Sequence, residues 1–188
     1  MADDFLAERR RALEESFFAN QDRQLLERLR AQLQEEEQLQ ALSAASGIQD
    51  LNLLKELASL GIDAQTVAAL SLIPLVEVAW AHGGIAPEER EAVLQAAEEN
   101  GVKKDTPAHE LLERWLDNKP SPKLLNAWKD YVTELRSAVT PATFDKVRTR
   151  IMERAEQVAR AAGGFLGLAT IAPQEQAMLD ELEQALRG

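Results

Sequence analysis

The sequence predicts an all-α protein: a helical bundle with an internal two-fold repeat, preceded by a long helical N-terminal arm. Three observations predict it. Apolar residues recur at spacings of three and four, with no alternating run that would mark a strand. Pro or Gly stands at nearly every break in that pattern. And Ile85-Ala86-Pro87-Glu88-Glu89 returns almost unchanged as Ile171-Ala172-Pro173-Gln174-Glu175, each copy following a glycine-bearing turn and opening a short amphipathic run. One such unit cannot bury its apolar face alone, which is why units of this kind are repeated.

The elements follow in order. Residues 3–46, rich in Glu, Gln, Arg and Leu, predict one long helix or two joined ones, stopped by Gly47. Leu26, Leu29 and Leu33 form an apolar seam that Glu35-Glu36-Glu37 interrupts before Leu39 and Leu42. A long coiled coil needs several sustained heptads, so the arm is expected to fold against the body. Residues 50–60 predict a short helix closed by Gly61. Asp63 suits the N-cap of a helix running to about His82. That segment is apolar on nearly every side and is the expected central buried helix. Pro74 inside it removes a backbone hydrogen bond and predicts a kink.

Gly83-Gly84 ends that helix, and Pro87 opens the next, where its missing N–H costs nothing. The helix closes at Asn100-Gly101. Pro107, Pro122 and Pro141 begin three more, at about 107–117, 122–138 and 141–162, with Gly163-Gly164 closing the last. A final helix runs from Pro173 to about Leu186. The organisation is then an arm (1–47), a connecting helix (48–63) and a bundle (64–188).

Composition bounds the function. The chain has 188 residues, 45% hydrophobic and only 5% aromatic, so aliphatic side chains and alanine must fill the core. A formal net charge of -11 argues against nonspecific binding to nucleic acid or anionic lipid, which need a positive footprint. No cysteine is present, which excludes disulfides, thiolate metal sites and cysteine nucleophiles. The longest nearly apolar run, Val67–Ala81, contains Glu77 and falls short of the ~20 residues a membrane span requires. Met1–Arg11 lacks the apolar stretch of a signal peptide. A cytoplasmic protein is expected.

Sliding Ile85 onto Ile171 brings Ala92, Val93 and Ala96 onto Met178, Leu179 and Leu182, so the apolar face is kept, and Glu89 falls on Glu175. The second copy has the longer turn, Phe165–Thr170. The run Leu70–Arg90 resembles the helix-turn-helix core of the tellurite-resistance TerB superfamily, whose pattern is roughly Ala-x-Ala-x-Ala-Asp-Gly-x-Ile-Asp-x-x-Glu in two related halves. Gly83, Ile85 and Glu89 match the first half, and Ile171 and Glu175 the second, over residues of about 64–187. The resemblance implies a TerB-like bundle and, for its members, links to metal-ion binding and to stress-response complexes, sometimes at a membrane surface. His82 stands where the family usually has an acid, and Ala86 and Ala172 where it often has Asp or Ser, so most oxygen ligands for a hard cation are missing. In the arm, Arg11-Ala12-Leu13-Glu14-Glu15-Ser16-Phe17-Phe18 is similar to the start of F1-ATPase inhibitor zeta subunits.

The remaining constellations give three candidate sites. Glu77, Glu89 and Glu175 are candidate ligands of a divalent cation. Against this, Glu89 and Glu175 also suit the first turns of their helices, where the dipole favours acids. Glu77, in an apolar run, must be paired, hydrogen-bonded or protonated if buried, and an Arg of the arm or a solvent-reaching face is the expected answer. Phe5, Leu6, Leu13, Phe17 and Phe18 form an apolar set on the arm, a candidate surface for a protein partner or a homodimer. His82 and Trp80 are candidates for lining a small-molecule pocket beside Glu77.

Neither His82 nor His109 has a second ligand at helical spacing, so a helix-end or surface position is expected of both. Trp80, Trp115 and Trp128 are expected to pack on apolar faces. The basic residues Lys146, Arg148, Arg150, Arg154 and Arg160 could meet an acidic partner, though interleaved Asp145, Glu153 and Glu156 predict a salt-bridged solvated face. No P-loop, dinucleotide fingerprint, nucleophile elbow or HExxH occurs. The sequence therefore points to a non-catalytic interaction or regulatory module. The alternatives are a degenerate divalent-cation sensor and an unrecognised enzyme or small-molecule binder.

Overall fold

The computed structural model describes the backbone of residues 2–161 and 171–188, and the side chains of residue 21, of 23–161 and of 171–188. Among the described residues the chain is helical and contains no strand. Gly163-Gly164 and Phe165–Thr170, assigned above to the second turn, lie outside them. So do the side chains of Phe5, Leu6, Leu13, Phe17 and Phe18. Two compact units are present, residues Met1–Gln40 and Ala41–Gly188.

The first unit is helical throughout, as part of α1 (Ala2–Ser46). Its residues Leu25, Leu26, Leu29 and Leu33 are exposed. No helix among the described residues is long and apolar enough to cross a membrane.

The second unit holds the core. Gly47, at φ +77°, turns the chain out of α1 in the left-handed region glycine tolerates. Asp50 then caps α2 (Leu51–Ser59), its carboxylate accepting from Asn52 N and Leu53 N. Helix α2 packs on α6 (Pro122–Ala138), so the connecting segment is part of this unit.

The expected long helix from Asp63 to His82 is not continuous. Asp63 caps a tight turn, its Oδ1 accepting from Gln65 N and Thr66 N, and a 3-10 stretch Val67–Leu72 follows. Helix α3 spans Ile73–Ala79 only, with Pro74 in its first turn. The proline therefore starts a helix instead of kinking one. Its ring presets φ, and the N–H it lacks would have had no partner there.

Every residue of α3 is buried, Glu77 included. Around it pack α4 (Pro87–Glu99), α6, α7 (Pro141–Ala161) and α8 (Pro173–Arg187). Helix α5 (Pro107–Asp117) packs against the 3-10 stretch. The filling is aliphatic, as the composition requires: Leu72, Ile73, Leu75, Val76, Leu112 and Leu182 are among the buried side chains. Trp128 and Trp115 are also buried. Trp80 closes α3 against α5, its Nε1–H donating to Trp115 O at 2.8 Å.

Candidate cation-binding site

The two Ile-Ala-Pro steps form the same local corner. Ala86 (φ -70°, ψ 151°) and Ala172 (φ -67°, ψ 149°) are extended N-caps, and Pro87 and Pro173 begin α4 and α8. At the third helical position Glu89 reaches back, its Oε2 accepting from Ala86 N at 2.7 Å. Glu175 does the same to Ala172 N at 2.8 Å. This is one half of a capping box. Alanine has no side-chain oxygen to supply the other half.

Holding Oε2 this way fixes where the second oxygen goes. Both carboxylates are buried, Glu89 at 0% and Glu175 at 2% exposure, and both turn Oε1 toward His82 in the turn after α3. His82 Nδ1 stands 3.3 Å from Glu175 Oε1 and 3.8 Å from Glu89 Oε1. One ligand atom from each of the three residues lies within 4.8 Å of the others. His82 itself is exposed, so the cluster opens to solvent on that side. Gly83, at φ +98°, lets the chain turn sharply from His82 into the Ile85 step.

Burial, reinforced by the neighbouring Glu175 carboxylate, pushes the Glu89 carboxyl up to about 7, against the opposing bond from Ala86 N–H. Glu89 Oε1 is buried with no hydrogen-bond donor. A buried acceptor in that position needs a proton shared with Glu175, or a cation. Ligand atoms about 2.1 Å from a tetrahedral zinc stand roughly 3.4 Å apart, close to the two distances from His82. The Ala86 and Ala172 N–H groups act as orienting partners outside the ligand set, which is how ligating carboxylates are usually held. Three protein ligands would leave a coordination position for water.

Of the predicted metal ligands, Glu89 and Glu175 come together and Glu77 does not join them. Glu77 is 8% exposed and its Oε1 lacks a hydrogen-bond partner. Burial pushes its carboxyl up to about 7, opposed by the charges of Lys119 and Lys129 and reinforced by Glu181. Among the described residues the cations acting on it are Lys119, on the α5–α6 turn, and Lys129, on α6. Of the predicted pocket pair, Trp80 is spent on α5, whereas His82 faces the carboxylates.

Both histidines stand at helix ends as expected, His82 exposed after α3 and His109 in the first turn of α5, yet each also faces a carboxylate. His82 gains its partners from two other segments, which no spacing within its own helix could reveal. His109 is buried at the start of α5, with Nδ1 3.7 Å from Glu113 Oε2. The signal that could have exposed His82 was the repeat itself: one of its two matched corners is entered directly from the His82-Gly83-Gly84 turn.

The basic stretch is salt-bridged in part, by the interleaved Asp145 and Glu156 and by acids of α4 and α8, while Glu153 makes no bridge among the described residues. Arg148 meets Asp145 and Glu183, Arg154 meets Glu99, and Arg160 meets Glu156. Comparison with known protein families, with curated proteins and with solved structures gives no match to this chain.

Proposed function

We propose that the chain is a non-catalytic regulatory module of TerB-like kind that binds a divalent cation at His82, Glu89 and Glu175. One observation carries this reading: Glu89 Oε1, fully buried and without a donor, converges with two other ligand atoms from segments 86 residues apart in the repeat. One imidazole nitrogen and two carboxylate oxygens favour Zn²⁺ or Mn²⁺ over Ca²⁺ and Mg²⁺, which take all-oxygen sets. A cation there ties the turn after α3 and the start of α4 to the start of α8. Binding would trade the shared proton for the metal and report cation or pH status through the packing of α8.

Isothermal titration of the full chain with Zn²⁺, Mn²⁺, Ca²⁺ and Mg²⁺ tests this directly. Saturable one-to-one binding of Zn²⁺ or Mn²⁺, weakened at least tenfold by Glu175→Gln and by His82→Ala, is expected. No heat with any of the four, or affinity untouched by both substitutions, ends the proposal.

A second reading concerns the arm. Leu26 is 53% and Leu33 59% exposed on α1, and apolar surface of that kind is covered in working assemblies by a second copy or a protein partner. Light scattering on the full chain should give a dimer that Leu26→Ser with Leu33→Ser returns to monomer. A strict monomer at all concentrations counts against this reading.

A further inference from the structure

A cavity of about 340 Å³, sharing no residue with the carboxylate cluster, is lined by aliphatic, polar and cationic side chains and by no acid. Leu75 of α3 and Val147 and Ile151 of α7 supply the aliphatic surface. Lys146, Arg150 and Arg154 line it at successive spacings of four on α7. Like charges at that spacing repel along a helix, so the row needs anions. Arg154 has one, Glu99 at 3.3 Å. Among the described residues Lys146 and Arg150 have no carboxylate within ion-pair distance.

The other polar wall groups are already committed. Asn100 Nδ2 donates to Ala96 O at 2.9 Å, Ser71 Oγ donates to Ala68 O at 3.0 Å, and Thr143 Oγ1 shares a hydrogen bond with Thr140 Oγ1 at 2.9 Å. That leaves Lys146 and Arg150 as the lining donors without a partner among the described residues. In a chain of net charge -11, an acid-free cavity with two uncompensated cations is an exception to the general surface.

We infer that this cavity binds a small amphipathic carboxylate, its alkyl chain against Leu75, Val147 and Ile151 and its carboxylate between Lys146 and Arg150. The volume selects the class of guest. It stands at the low end of the roughly 300–1,000 Å³ of small-molecule sites, which suits a medium-length alkyl chain and excludes a folded partner. The net charge excludes a polyanion, which the rest of the surface would repel. A carboxylate paired to Arg gains a charge-assisted, geometrically matched contact.

The test is calorimetric titration of the full chain with decanoate below its micellar concentration, with decanol, acetate and an acidic amphipathic peptide alongside. Decanoate should bind one-to-one, with decanol and acetate each at least tenfold weaker, since each lacks one half of the recognition. The pair Lys146→Gln with Arg150→Gln, both at exposed positions of α7, should weaken decanoate at least tenfold while leaving the circular dichroism unchanged. Ile151→Asp should abolish binding from the apolar side. Decanol binding as well as decanoate, an affinity indifferent to the double substitution, or tighter binding of the peptide than of decanoate would each overturn the inference. Zn²⁺ affinity provides the internal control, because none of these substitutions touches His82, Glu89 or Glu175.

Discussion

Glu89 shows how one side chain can serve a helix end and a site together. One oxygen caps α4 through Ala86 N–H, and the other, buried without a donor, faces Glu175 and His82. Its proton is retained to about 7 because burial penalises the charge, and Glu77 is held at a similar value for the same reason. In both cases the folded pKa lies above the ordinary value of 4.5, so the folded state holds the extra proton. The stability this confers is complete below pH 4.5, falls as pH rises toward 7, and is gone above it. Urea denaturation should therefore show stability declining between about pH 4.5 and pH 7, by at most roughly 3 kcal/mol per group. Glu89→Gln keeps the oxygen that accepts from Ala86 and removes the titrating proton, so it should flatten its share of that slope. A slope unchanged in Glu89→Gln and in Glu77→Gln would show that neither carboxyl is perturbed. Cation affinity should run the other way, rising up to about pH 7 because the ligand must be deprotonated.

At the scale of the helix, the proline and glycine punctuation was the most legible part of the chain. Pro87, Pro107, Pro122, Pro141 and Pro173 each begin a helix where expected. Pro74 does so too, although apolar continuity around it read as one long helix. Residues 66–72 are apolar enough for either conformation, and what separates them is the 3-10 geometry between the Asp63 cap and Pro74. The corners also show what alanine leaves undone. Ser at position 86 or 172 would add the missing acceptor for the backbone N–H of Glu89 or Glu175. Each substitution, Ala86→Ser and Ala172→Ser, should stabilise the fold by about 1 kcal/mol, read as a rise in melting temperature. A loss instead would mean the half-buried N-cap position has no room for a hydroxyl.

For the second unit as a whole, stability rests on the aliphatic packing of α3 inside the other helices. Leu182 on α8 is fully buried, so Leu182→Ala should cost about 2–5 kcal/mol in chemical denaturation. A cation at the corner site would add to that packing by mass action. At a hundred times its dissociation constant the gain is about 2.7 kcal/mol, and hydrogen exchange should slow most at the starts of α4 and α8. Exchange that slows evenly over the whole unit would point to a cation bound elsewhere.

The local parts of this protein were written in the order of its residues: helices from apolar spacing, their ends from Pro and Gly, and two like corners from a repeated five-residue step. These are properties of neighbours along the chain, so neighbours suffice to specify them. The site was not. His82 meets Glu175 only because α3 and α8 pack together, and Glu77 is left out only because its face of α3 turns toward Lys119 and Lys129. Which carboxylates share a cation depends on distances across the bundle, and those are decided by packing, to which the spacing of residues along a single helix is blind.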